Sequence, residues 1–354
     1  MLTILSVAYP LARVGPDAVG GAEQVLSMLD AAIVKTGHRS IVVACEGSRM
    51  EGELIAVRAR RGPLDFRAVA LARVRCRRAI AQVLQSRRVD VAHMHGVDYD
   101  SYLPPGRVPV LATLHCPLEW YTAAALSPIR PATYLNAVSR DQHLRLAPNP
   151  CILEPIENGV AIDAVAGHYR RRSFTLMLTR IAPDKGVHLA LEAARAAGMP
   201  LLLAGEVFPY PEHLRYFAHR VEPLLDRERR YIGPVGPAAK RRLLGMAHSL
   251  LVCSQVPETS SLVAREALAA GAPVVAIRRG AMAEVVEDGR TGFLVNDVNG
   301  LAAALARVGA LDREACRRVA RERFDAAAMT RSYLQVYQRL ALAGSRGRMQ
   351  AGAA

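Results

Sequence analysis

The chain has 354 residues, 51% of them hydrophobic and only 5% aromatic, which suffices for two domains of ordinary size with cores of Ala, Val and Leu. No run of eighteen apolar residues occurs, so no transmembrane helix is expected, and the start MLTILSVAYP reads as a first strand, not a signal peptide. The net charge of +14, mostly arginine, admits nucleic acid, an anionic membrane surface or an anionic small substrate, but no zinc-finger, RRM-like or KH-like signature supports nucleic acid. Solvated helix faces account for most of the charge, with peripheral contact at the inner face of an anionic membrane as the second reading. Six scattered cysteines without a C-x-x-C pair read as reduced thiols, hence a cytoplasmic protein.

Thr3–Ala8 is an apolar strand, and Gly20-Gly21-Ala22-Glu23 opens an amphipathic helix that ends near Thr36. Paired glycines at a helix start admit close approach of an anion to the backbone, although the pattern is not G-x-G-x-x-G. Strands follow at Ser40–Ala44, Leu54–Arg61, Val89–His95 and Val108–His115, with a basic helix over Phe66–Gln85. Asn136–Ser139 begins the next unit, and the basic, polar stretch Gly167–Ser173 reads as a linker.

The second half opens with the strand Phe174–Thr179, the loop Arg180-Ile-Ala-Pro-Asp-Lys185-Gly186 and a helix to about Ala197. Leu201–Ala204 is a strand, Tyr210–Leu225 reads as helical, and Tyr231-Ile232-Gly233 is a short strand end. Lys240–Ala247 is a helix before the apolar strand Ser249–Cys253. Then comes PETSSLVAREALAAGAPVV, Pro257–Val275: an acidic loop, three acceptable N-caps in Thr259, Ser260 and Ser261, a helix over Leu262–Ala270 and a strand from Pro273. Ala326–Leu342 is the last helix, with Met329, Tyr333, Val336, Tyr337 and Leu340 on one face, and Gly344–Ala354 reads as a disordered tail.

Two features of this half carry chemistry. Glu258 and Glu266 stand eight residues apart around a helix start whose first amides, Ser261–Val263, have no intrahelical partner and form the positive end of the dipole. A phosphate fits there, with a carboxylate on either side for sugar hydroxyls. Arg180 and Lys185, on a strand-to-helix loop, can clamp a diphosphate and neutralise a leaving group.

Pro257–Val275 resembles the Glu-x7-Glu element of retaining glycosyltransferases of the GT-B fold, family GT4, and Arg180, Lys185 and Gly186 resemble that family's Arg–Lys pair. The resemblance extends to the Gly20-Gly21-x-Glu23 loop and to the histidine ending the Val108–Leu114 strand. This chain has Ser260-Ser261-Leu262 where the family usually has Phe-Gly-Leu. The resemblance implies an α/β protein of two doubly wound, Rossmann-like domains facing across a cleft. They fall at 1–165 (acceptor side) and 166–325 (nucleotide-sugar side), with a helix over 326–343 crossing back to the first and a tail over 344–354. It implies transfer of a sugar from a nucleotide diphosphate sugar, a UDP-sugar in the favoured case, to a small-molecule, lipid-linked or saccharide acceptor. Neither a metal nor a further cofactor is implied. His115, Glu258, Arg180 and Lys185 would be catalytic; Gly20, Gly21, Ile232, Ser260, Ser261, Leu262, Val263 and Glu266 would join Arg180, Lys185 and Glu258 around the donor.

Two rivals stay open. His93 and His95, two apart on a strand, with His115 on another, suggest a metal-dependent hydrolase. Charge alone suggests a non-catalytic binder of nucleic acid or membrane. Asp98-Tyr99-Asp100 has the D-x-D form of a metal motif, and solvated loop acids explain it better.

Overall fold

The computed structural model describes residues 1–58, 65–165, 167 and 169–351, with side chains described up to 344. It divides into two compact units: Met1–Glu157 with Ala327–Ala354, and Asn158–Ala326.

The first unit holds six strands: β1 (Thr3–Val7), β2 (Arg39–Cys45), β3 (Glu53–Val57), β4 (Val91–Met94), β5 (Val110–Leu114) and β6 (Thr133–Ala137). Their order is β3-β2-β1-β4-β5-β6 and every pairing is parallel. Parallel strands covered by helices on both faces read as unbroken apolar runs, and β4 and β5 are buried throughout. Residues 59–61 of the strand expected over Leu54–Arg61 lie outside the described residues.

The second unit repeats the plan with β7 (Thr175–Leu178), β8 (Leu201–Ala204), β9 (Arg229–Tyr231), β10 (Ser249–Val252), β11 (Val274–Ile277) and β12 (Gly292–Val295). Their order is β12-β11-β10-β7-β8-β9, again all parallel. In each sheet the chain starts centrally, winds to one edge, returns and winds to the other. The switch points lie between β1 and β4, and between β7 and β10. At the carboxyl ends of such a pair a crevice opens between diverging loops, and there open sheets bind ligands.

Three expectations need correction. The boundary falls at Asn158, not 165, because Val160 bridges Asp325 and the short helix Ile162–Val165 packs on the helices Pro237–Met246 and Leu262–Ala269. The stretch read as a linker, Gly167–Ser173, belongs to the second unit, where Arg172 N donates to Met246 O at 2.8 Å; residue 168 lies outside the described residues. The last helix runs over Ala326–Ala351, so the tail expected to be disordered from Gly344 is helical to Ala351, in keeping with its helix-forming Arg, Met and Gln. Residues 352–354 lie outside the described residues.

Within the first unit that helix buries the expected face, Met329, Tyr333, Val336, Tyr337 and Leu340. None of the six cysteines is disulfide-bonded. Among the described residues, no helix is long and apolar enough to cross a membrane.

Candidate functional site

In the second unit the two central strands deliver the expected residues side by side. After β7 the loop makes a short turn, Pro183–Lys185, and Gly186 adopts φ +61. A Cβ there would lie 2.2 Å from Cys253 O, so only glycine lets this loop close on the one after β10. Gln255 N, donating to Asp184 O at 2.7 Å, completes the junction. The result is a direct bond between the loops: Lys185 Nζ donates to Glu258 Oε1 at 2.6 Å, and Ser254 Oγ donates to the same oxygen. The main chain of Glu258 is held from the other side, where Ala281 N donates to its carbonyl at 2.8 Å. Gly280, at φ +57, leaves room for that contact, since a Cβ would come within 2.3 Å of Glu258 O.

Burial pushes the Glu258 carboxyl up, but Lys185, Ser254 and Arg180 outweigh it and hold the group below its ordinary value. Glu258 is therefore a largely buried carboxylate at neutral pH, 10% exposed and charged because a cation touches it. Arg180, the other cation of this loop, reaches Asp184 with Nη2 at 3.2 Å.

Glu266 lies one turn into the helix Leu262–Ala269 and is buried. It accepts from Lys240 Nζ at 2.5 Å, a residue the sequence reading placed on a helix but gave no role. A compositional signal was available. The chain has 46 basic residues and three lysines, Lys35, Lys185 and Lys240, and two of the three hold the two glutamates. In an arginine-dominated chain, a lysine marks a place where a compact ammonium suits the contact better than a planar fork.

The helix start differs from expectation. Ser261 is the N-cap position, yet it sits at φ 52, ψ 71 and its side chain caps nothing. A capping serine needs extended backbone to turn its oxygen onto the first amides, and the left-handed conformation denies it that. Helical bonding begins with Ala264 N and Arg265 N on Ser261 O, so the amides of Leu262 and Val263 precede it. Arg265, wholly buried, braces the turn: Nε donates to Ser260 O at 3.1 Å, Nη1 to Asn158 O at 2.9 Å, and the guanidinium lies 4.4 Å from the Phe324 ring centroid. Sequence reasoning missed Arg265, which looked like one more solvated arginine. Ile232, just past β9, is 40% exposed, and its amide donates to Leu203 O.

The first unit presents imidazoles at its switch point. His93 and His95, on and just after β4, have ring centroids 3.9 Å apart with the planes tilted by 43°. His95 Nδ1 is 3.0 Å from His115 Nε2, so the loops after β4 and β5 meet through two histidines. His93 Nε2 is 2.7 Å from Thr113 Oγ1, whose hydroxyl donates to Asn136 Oδ1, so His93 is the donor to Thr113. Its Nδ1 then accepts from Tyr337 Oη at 2.7 Å, across to the last helix. Burial pushes all three histidines down, His115 to about 3, and they are neutral at pH 7. The fold thus brings together the three histidines of the metal reading, but both nitrogens of His93 are spent on hydrogen bonds. Among the described residues no group of three His, Cys, Asp or Glu is arranged to hold a metal ion.

Gly20 takes an extended φ of −81 before the helix Gly21–Lys35, and a Cβ on it would meet the Glu23 carboxylate at 1.9 Å. Asp98 is not the solvated loop acid expected. It is buried, ion-paired to Arg73 Nε at 2.7 Å, and accepts from Tyr102 Oη.

Comparison with known proteins bears on this geometry. Residues 19–158 match the family model described as Glycosyltransferase Family 4, and residues 173–310 the one described as Glycosyl transferases group 1. The chain belongs to glycosyltransferase family 4. Among curated relatives of this family 4 chain, the lipopolysaccharide 1,2-N-acetylglucosaminetransferase of Salmonella typhimurium is 30% identical over 34% of this chain and 36% of that protein. The alpha-maltose-1-phosphate synthase of Mycolicibacterium smegmatis is 28% identical over 54% of each. These matches thus span about half or less of the relatives' own length. Solved structures align over nearly the whole chain. Sucrose-phosphate synthase from Thermosynechococcus elongatus has TM-score 0.79 at 18% identity, covering 97% of this chain and all of that one (100%). Anabaena HepE in complex with UDP and glucose has TM-score 0.74 at 18% identity, covering 96% and 100%. The family 4 chain therefore has the two-domain GT-B fold, with the Glu-x7-Glu and Arg–Lys elements gathered at the switch point of its second unit.

Proposed function

We propose that this protein transfers a hexose from a nucleoside diphosphate sugar to an acceptor hydroxyl, with retention at the anomeric carbon and no metal ion. The observation that carries the reading is the Lys185–Glu258 bond across the β7–β10 switch point, beside an uncapped helix start. It places a cation, a carboxylate and amide donors within one short arc, which suits a diphosphate bearing a sugar.

In this reading Arg180, Lys185 and the amides of Leu262 and Val263 hold the diphosphate. Glu266 accepts from ribose hydroxyls, Glu258 from a hydroxyl of the sugar, and Ile232 lies against the base. From the first unit, His115 contributes a neutral imidazole to the sugar and Gly20-Gly21 an open backbone. The C1–O bond to the phosphate breaks as the acceptor oxygen bonds to C1 on the same face. The departing phosphate oxygen takes the acceptor's proton, so no enzyme nucleophile is needed. Lysine, arginine and helix dipole neutralise the charge that develops on the leaving group.

A UDP-sugar is the first donor to test, because the solved neighbour HepE is a complex with UDP and, in another structure, with UDP-glucose. The acceptor is a small molecule, a saccharide or a lipid-linked saccharide, handled on the cytoplasmic side with peripheral contact to an anionic membrane. A thermal-shift panel of UDP, GDP, ADP and dTDP sugars tests the donor class, and turnover after exhaustive EDTA treatment tests the metal-free chemistry. Absence of any nucleotide-dependent shift refutes the donor reading. Activity that returns only with a divalent ion refutes metal independence.

A further inference from the structure

The two residues ahead of the helix Leu262–Ala269 are poorly chosen for folding alone. Ser261 is one of two non-glycine residues with positive φ among the described residues, at +52. That conformation crowds a side chain against the following carbonyl and belongs to glycine. Ser260 and Ser261 are 3% and 8% exposed, and neither Oγ has a hydrogen-bond partner. A buried hydroxyl without a partner opposes folding, so glycine at 261 and alanine at 260 would make the more stable protein. Two adjacent serines thus each carry a folding cost where the helix offers its uncapped amides. Side chains of this kind, unsatisfied and held in a strained conformation, occur where a ligand completes them.

The surroundings define the ligand's chemistry. Ser260 O is already bound by Arg265 Nε, and Ser261 O by Ala264 N and Arg265 N, so both carbonyls are committed. What remains on this turn is a set of donors: two hydroxyls and the amides of Leu262 and Val263. The neighbouring carboxylate, Glu258, is neutralised by Lys185. A cradle of amides and hydroxyls, every one of which can donate, fits an acceptor-only group, and a phosphate is one. A serine hydroxyl turns about χ1 among three staggered positions, so it can meet a ligand without backbone movement.

We infer that Ser260 and Ser261 donate their hydroxyl hydrogens to a phosphate of the bound nucleoside diphosphate, and that the left-handed backbone of Ser261 is the stability given up to present them. The inference rests on the donor reading above and deepens it. It makes this turn a phosphate subsite built from side chains as well as amides.

Ser260→Ala, Ser261→Ala and Ser261→Gly, measured by calorimetric titration and thermal unfolding, test it. The probes are UDP, with GDP and ADP in parallel, and uridine as the ligand without phosphate. Each variant should bind the diphosphate roughly ten- to a hundred-fold more weakly than wild type, the range for hydrogen bonds to a charged acceptor. Uridine affinity should not change. Ser261→Gly should at the same time raise Tm by about 2–4 °C, because it relieves the backbone. If wild type binds UDP and all three variants match it within about twofold, the inference is overturned while the donor reading stands. Equal weakening of UDP and uridine also overturns it, since the serines would then serve the fold. If wild type binds none of the three diphosphates, the donor reading fails first and takes the inference with it.

Discussion

The two units share one topology and treat the same place in opposite ways. At the switch point of the first, His93 and His95 are buried, His115 is half-buried, and all three are neutral and bonded to one another or to hydroxyls. At the switch point of the second, partly buried charges are paired, Lys185 with Glu258 and Lys240 with Glu266. A neutral network suits hydrogen bonds to sugar hydroxyls, which carry no charge in either ground or transition state. A charged one suits a diphosphate, whose negative charge grows as the glycosidic bond breaks. The fold supplies two crevices, one lined by neutral imidazoles and the other by ion pairs.

Acid should separate the units most strongly. A histidine whose folded pKa is depressed binds more protons when unfolded, so its contribution is fully present above the unfolded value of 6.5 and is lost as pH falls toward the folded value, about 3 for His115. Between pH 7.5 and 5.0, His93, His95 and His115 should each cost the first unit about 2 kcal/mol. Glu258 has the same sign but a lower pH window. Its folded pKa lies below 4.5, so its contribution persists until pH falls through that lower value. His188, His213 and His248 of the second unit are also held low, by partial burial, so that unit should lose less but not nothing. The chain's single tryptophan, Trp120, reports on the first unit. Urea melts followed by its fluorescence should shift sharply between pH 7.5 and 5.0, while nucleotide binding shifts little. Coincident shifts by both probes would contradict the contrast.

Lys185→Ala should cost the second unit on the order of 3 kcal/mol at pH 7.5, because Glu258, only 10% exposed, loses the cation that compensates its burial. Burial, already the largest influence on this carboxyl, would then raise its pKa, and part of the lost stability should return on acidification. Wild type should show no such gain, and a variant equally unstable at both pH values would mean the pair does not control the ionisation.

His115→Ala should fold and bind UDP as wild type does and lose roughly ten- to a hundred-fold in kcat, equivalent to one or two hydrogen bonds to the sugar. Unchanged turnover would remove His115 from the chemistry.

Much of this was legible in the residues, and the rest was hidden for physical reasons. Parallel strands buried on both faces leave apolar runs, so Leu201–Ala204 and Ser249–Val252 were visible almost to the residue. Glu258, Glu266, Arg180 and Lys185 stood out because their spacings are local to one loop or helix. The boundary at Asn158 depends on the Val160–Asp325 bridge, a pairing across most of the second unit that no local pattern announces. Lys240 escaped notice because its partner lies 26 residues on, and the His95–His115 bond because it forms only when β4 and β5 pair. The left-handed backbone of Ser261 left no trace in the residue itself, and only the glycine usual at that place in the family points to it.

The smallest expected effect tests the least obvious pair. Lys240→Met keeps the aliphatic stem and removes the ammonium. Two roles for Lys240 predict opposite signs. As a competitor it would occupy Glu266 in the free protein and have to be displaced by ribose, so its loss would tighten nucleotide binding. As a positioning partner it would hold the carboxylate in place, and its loss would weaken binding. The geometry favours the second. Lys240 touches Oε1 alone, and a carboxylate offers about four acceptor positions, which leaves room for two ribose hydroxyls. The Lys240 side chain is 22% exposed, so solvent screens the pair and the effect is modest. UDP affinity should fall about fivefold, near 1 kcal/mol, with pyrophosphate binding unchanged if Glu266 serves the ribose as proposed. Tighter UDP binding by Lys240→Met would reverse the assignment and make Lys240 a built-in competitor for the ribose site.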